Sequence, residues 1–215
     1  VLSTQFNGGT SGAIWIDDLG TATTTLTAST DGDSTATSGL INITSVADLS
    51  IASVSSAGGL VTIATTKDAG VIADANATGN IEVDIVGTTV KLDSEGNIGV
   101  TGSNKGLDIS ATALDVTTTA ETTRTHISGS IFIQDVSATS TALTVDSADV
   151  ANNLAEAAGD IQLTKADGGF TIVTVASGGS TQDFGNVTIF AATSITELTD
   201  DTTIDITGNV VTLTA

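Results

Sequence analysis

A short unit recurs along this chain: a glycine, one variable residue, then two aliphatic or β-branched residues separated by a single position. It reads Gly12-Ala-Ile-Trp-Ile16, Gly39-Leu-Ile-Asn-Ile43, Gly59-Leu-Val-Thr-Ile63, Gly79-Asn-Ile-Glu-Val83 and Gly96-Asn-Ile-Gly-Val100. It returns as Gly129-Ser-Ile-Phe-Ile133, Gly159-Asp-Ile-Gln-Leu163 and Gly185-Asn-Val-Thr-Ile189, and in looser form as Gly208-Asn-Val-Val-Thr-Leu213. Alternation places the aliphatic pair on one face of a strand. The glycine is expected to supply a positive φ where the chain bends, with the neighbouring Asn or Asp tolerating the same bend. Successive copies lie about 20 residues apart in the middle of the chain and about 17 to 33 elsewhere, the spacing of imperfect solenoid coils with loop insertions.

Between the copies lie further short strand-like runs: Asp48–Ala52, Ile81–Ile85, Leu107–Ile109, Ala142–Val145, Phe170–Val175 and Thr203–Thr207. Two or three strands per unit of about 20 residues is the rhythm of a parallel β-helix. The chain is therefore expected to be all-β, a parallel β-helix of irregular coils. Residues 1–215 read as a single elongated domain or as a segment of a longer repetitive protein. The competing architecture is an antiparallel β-sandwich or jelly roll, which also sets short strands 8–12 residues apart. Proline and tyrosine are absent and Trp15 is the one tryptophan, which disfavours that alternative. Ser147–Ala158 is Ala-rich, with Val150 and Leu154 four residues apart, and reads as either a short helix or an irregular insertion.

Charge narrows the function. The formal net charge is -20, and Lys67, Lys91, Lys105, Arg124 and Lys165 are the only fixed cations. Nucleic-acid affinity rests on Lys and Arg neutralising phosphates, so nucleic acid is excluded as a partner. No run approaches the roughly 18 apolar residues of a helical membrane span. Without cysteine there is no disulfide framework and no thiolate chemistry. With no basic leader in view, the chain is expected to be a mature product or an excised fragment. Its strand-like end, Asn209–Ala215, is expected to continue into more protein or into a neighbouring copy.

Catalytic patterns are missing. His126 is the single histidine and no Gly-x-Ser-x-Gly elbow accompanies it, so it reads as structural. Asp17-Asp18 and Asp200-Asp201 are adjacent pairs, and neighbours on a strand point to opposite faces, so neither pair can flank one glycosidic bond. An enzyme is not expected. Calcium is the one cofactor with a chemical case, because Asp-rich turns supply the oxygens it takes. Asp31 and Asp33 in Asp31-Gly-Asp33, and then Asp200 and Asp201, are the candidate ligands, set against the plainer reading as solvated turn carboxylates. The Thr-x-Thr runs do not recur at the coil spacing and build no regular hydroxyl array.

The units Gly159-Asp-Ile-Gln-Leu163 and Gly185-Asn-Val-Thr-Ile189 resemble the β-helical shafts of filamentous haemagglutinin-type adhesins. The Thr/Ala/Gly/Asp-rich, cysteine-free composition is similar to that of bacterial surface-layer proteins. The resemblance covers residues 39–215 and implies secretion, repetitive assembly and a place on the cell surface. The expected function is a non-enzymatic structural subunit or segment of such an assembly, with copies of itself or neighbouring segments as partners. The second expectation is an adhesion module that binds glycans or another surface, with Trp15 as its aromatic platform.

Overall fold

The computed structural model describes residues 2–5, 12–31, 39–56, 59–76, 82–101, 106–119, 129–148, 158–178, 184–199 and 202–215. Among these residues the chain winds into a parallel β-solenoid whose coils each add one rung to two stacked sheets. The front sheet holds β1 (Leu2–Gln5), β3 (Thr24–Asp31), β5 (Leu49–Ser56), β7 (Ile72–Asp74), β8 (Ile85–Val86), β10 (Leu107–Ser110), β12 (Ile131–Asp135), β14 (Ile161–Lys165), β16 (Val187–Ala191) and β19 (Val211–Thr214). The back sheet holds β2 (Ile14–Asp18), β4 (Ile41–Ser45), β6 (Leu60–Thr65), β9 (Thr89–Ser94), β11 (Ala113–Thr119), β13 (Thr141–Ala148), β15 (Phe170–Ser177), β17 (Ile195–Glu197) and β18 (Ile206–Thr207). Every ladder between these strands is parallel, which excludes the antiparallel sandwich.

Register explains why the alternating sequence suits this fold. Ile41, Val61, Val90, Leu114, Leu143 and Ile172 stand in line on successive rungs of the back sheet. Ile131, Ile161 and Val187 do the same on the front sheet. These inward columns meet in one continuous core of Ile, Val and Leu, and most members are fully buried. β-branched side chains pack well on a pleated surface, so each rung stabilises the next.

The coils run from 20 residues, between the paired Ile41 and Val61, to 33, between the paired Ile98 and Ile131. Each carries two strands, or two strands and a break, rather than three. The recurring unit does not mark one place in the coil. Gly12, Gly39 and Gly59 lead into back-sheet strands, whereas Gly129, Gly159, Gly185 and Gly208 lead into front-sheet strands. The motif thus changes edge part-way along the solenoid.

The role expected of its glycine also needs correction. Among the described glycines, positive φ occurs only at Gly99, Gly168 and Gly178, none of which opens a unit. Gly96, Gly129, Gly159 and Gly185 are required because coils stack too closely there for a side chain. A Cβ on Gly129 would lie 1.9 Å from the Gly96 carbonyl oxygen, and one on Gly159 would lie 2.3 Å from that of Gly129.

Buried hydroxyls line the same edge. Thr118 and Ser147 both donate to the Gly129 carbonyl, at 2.6 and 3.1 Å, and Ser177 donates to that of Gly159 at 2.7 Å. The Gly159 N–H donates back to the Ser147 hydroxyl at 3.0 Å. Corner carbonyls that leave the ladder are thereby satisfied without water. Ser147→Ala would take the hydroxyl away from both the Gly159 N–H and the Gly129 carbonyl. It is expected to cost about 1–3 kcal/mol, seen as a fall in the thermal midpoint of several degrees.

Two sequence expectations shift locally. Glu82–Asp84 precede β8 and are not strand, so the run Ile81–Ile85 is not a continuous strand. Ser147 and Ala148 complete β13, the remaining residues of the Ser147–Ala158 segment up to 157 lie outside the described residues, and no helix occurs among those described.

Candidate functional site

The polar and exposed groups fall into four places, and their geometry decides what each can do. The first is the last coil. β19 pairs with β16, placing Val211 on Val187 and Leu213 on Ile189. Val187 and Ile189 are fully buried, while Val211 is 42% and Leu213 48% exposed. On this last described rung the two inward columns present half-exposed apolar side chains. Val210, Ile204 and Leu198, in the same final stretch of chain, are exposed as well. On the back sheet Glu197 registers with Ile172, so a carboxylate takes the final place in an otherwise aliphatic column. Among the described residues β19 has a ladder partner on one side only, leaving a row of backbone donors and acceptors open.

The second place is a buried ion pair. Asp135 and Lys165 are register partners on β12 and β14, both facing inward and both fully buried. The Lys165 ammonium donates to Asp135 Oδ2 at 2.6 Å, to the Ser137 carbonyl at 2.7 Å and to the Ser137 hydroxyl at 2.8 Å. It lies 5.6 Å from the centre of the Phe170 ring. Asp135 also accepts from the Thr141 hydroxyl and, at 2.9 Å, from the Ser137 N–H. Every charge here is matched, so the site is a structural tie with no free group to act on a substrate.

The third place is an interruption of the front sheet. β7 and β8 both pair with β5, one on Leu49–Ile51 and the other on Val54–Ser55, so together they make one broken rung. Asp74 ends β7, Asp84 precedes β8, and Asp108 lies in β10, which follows β8 in the sheet. All three are buried. Burial pushes Asp84 up to about 7 against the hydrogen bond from the Asp108 N–H, with Asp74 and Asp108 adding like charge. Burial, then the charge of Asp74, pushes Asp108 up to about 6. Among the described residues no three acidic or histidine side chains are grouped closely enough to hold a metal ion.

The fourth place is the outer surface. Trp15 is 67% exposed on the outward side of β2, opposite Asn42 of β4. A groove of about 160 Å³ between coils is lined by Ser56, Gly87, Thr88, Ser110, Thr112 and Ser137 among others, and none of its lining residues is charged. Asp18 is a turn brace: its carboxylate accepts from the Thr24 hydroxyl, the Gly20 N–H and the Ser45 hydroxyl, and these bonds hold its pKa below the usual range.

Of the calcium candidates, Asp31 closes β3 through its backbone, and Asp33, Asp200 and Asp201 lie outside the described residues, as does His126. Sequence reasoning missed the Asp135–Lys165 tie and the Asp74–Asp84–Asp108 group. The chain matches no known family, no curated protein and no solved structure.

Proposed function

We propose that this chain is a non-enzymatic structural segment of an extracellular cell-surface assembly, whether fibre, adhesin shaft or surface layer, and that its coils join end to end. The observation that carries the reading is the uncovered pair Val211 and Leu213, in line with the buried Val187 and Ile189. Another coil laid on β19, from a neighbouring copy or an adjoining segment, would extend both the ladder and the apolar columns by one more step. Burying two half-exposed aliphatic side chains and a row of backbone groups is a modest gain, so the joint depends on repetition along a polymer.

The net charge of -20 opposes that joint between copies. Salt or divalent cations are therefore expected to promote assembly by screening or bridging. The decisive experiment is electron microscopy and light scattering of the purified chain across a salt series, beside a variant lacking Asn209–Ala215 and the double variant Val211→Lys/Leu213→Lys. Filaments or sheets from the intact chain, lost in both variants while the circular dichroism of the coil is retained, are the expected result. Undiminished polymers from the variants, or a monodisperse intact chain at every salt level, would remove end-to-end joining.

A second reading rests on Trp15, the exposed aromatic on the outward face of the back sheet. As a glycan-contacting platform it would lose binding on Trp15→Ala, and a glycan array with no positive for the intact chain would dispose of it.

A further inference from the structure

The broken rung of the front sheet and its neighbour β10 hold three buried acids, one of them in an inward position, and their chemistry is unlike that of the Asp135–Lys165 tie. Asp74 occupies the inward position that pairs with Ile51. Asp84 and Asp108 hold each other through backbone and side chain. The Asp84 N–H donates to the Asp108 carbonyl at 2.9 Å, and the Asp108 N–H donates to Asp84 Oδ2 at 2.9 Å. Asp84 also anchors the rung to β5, because its carbonyl accepts from the Val54 N–H at 2.7 Å. The Asp74 side chain lies close enough to that of Asp84 to strengthen its hold on a proton, and Asp74 itself accepts from the Asn76 N–H at 2.6 Å. Two buried carboxylates this close repel each other unless one of them carries a proton.

We propose that Asp74, Asp84 and Asp108 form a proton-operated latch, which holds the two halves of the broken rung closed against β5 and β10 in acid and lets them part as the pH rises. The latch stands on the composition of its surroundings. β5 brings no titratable group, and neither does β8. β12 places Gln134 opposite Asp108, and its own Asp135 is taken by Lys165. Glu82, two residues before Asp84, is exposed. Among the described residues no Lys, Arg or His faces the cluster. Among the described groups, a proton is the one that relieves three buried acids in mutual repulsion.

The direction of the effect follows from linkage. The closed state keeps the Asp84 proton up to about 7 and the Asp108 proton up to about 6. An opened, solvated carboxyl releases its proton near 3.8. Between those limits the closed state binds more protons than the open one, so opening grows more favourable as pH rises through the window and levels off above it. Below about 4 both states are protonated and the latch is at its tightest.

The test is hydrogen exchange of the intact chain at about pH 4.5 and about pH 7, corrected for the intrinsic exchange rate, on the amides of Val54, Asp84 and Asp108. Protection there is expected to fall roughly a hundredfold between the two conditions through Asp84 alone, and further through Asp108, while the amides of β14 and β16 keep theirs. Asp84→Asn replaces the protonated acid with a neutral amide of the same shape and should leave only the smaller fall that Asp108 causes. Asp108→Asn is the second variant, expected to reduce the pH dependence in part. Protection that does not change with pH in the intact chain, or a fall of the same size in Asp84→Asn, overturns the latch. So does recovery of protection at about pH 7 on adding millimolar calcium, which would make the cluster a cation site instead.

Discussion

Gly129→Ala should unfold the second half of the solenoid under conditions in which Gly20→Ala is nearly silent. The added methyl of Gly129→Ala would lie 1.9 Å from the Gly96 carbonyl oxygen and 2.0 Å from its carbon, both backbone atoms held by the stacking of two coils. Relief requires the coils to separate at their tightest edge, which also strains the hydroxyl bonds of Thr118 and Ser147 to the Gly129 carbonyl. A cost of more than about 4 kcal/mol is expected, in the range reserved for named core defects. At Gly20 the nearest atom is the Asp18 side-chain oxygen at 3.1 Å, which can move. Denaturation midpoints followed by circular dichroism decide the matter. Equal midpoints for the two variants would mean that the glycine edge is not the close approach described above.

The second large effect concerns Lys165. Lys165→Met would leave the Asp135 carboxylate fully buried with the Thr141 hydroxyl and the Ser137 N–H as its remaining support. An uncompensated buried charge costs about 3–5 kcal/mol, so the single variant should be severely destabilised. The double variant Lys165→Met/Asp135→Leu removes both charges and should recover most of that loss, because an apolar pair on adjacent rungs extends the columns of Ile131 and Ile161. A double-mutant cycle reads the coupling directly. A loss under about 1 kcal/mol for Lys165→Met alone would show that water reaches the pair.

The sequence itself marks Asp135 and Lys165 as partners. Asp135 and Lys165 each follow a unit glycine by six positions, Gly129 and Gly159, and alternation carries both to the inward face of consecutive copies. Opposite charges at the same offset in neighbouring copies are the signal that would have found them. The all-parallel coil was legible for a related reason: period-two alternation and a punctuating glycine repeat in every coil, and each rung depends on nearest neighbours alone. The edge at which a glycine sits was not legible, because strands of the two sheets share one pattern. The acid cluster was hidden more deeply. Asp84 and Asp108 are buried only because the front sheet breaks between β7 and β8, and no local pattern distinguishes a break inside a rung from a loop between rungs.

The orientation of the ladders has a consequence for how the chain would respond to load. In a parallel solenoid the backbone hydrogen bonds between rungs point along the long axis, so tension applied to the two ends pulls them apart in sequence, one coil at a time. Each coil that peels away releases its own contour length, at roughly 3.3–3.6 Å per residue when extended. Coils of 20 to 33 residues would thus appear in a single-molecule trace as unequal steps of roughly 70–120 Å. The order of those steps would record which coil end yields first.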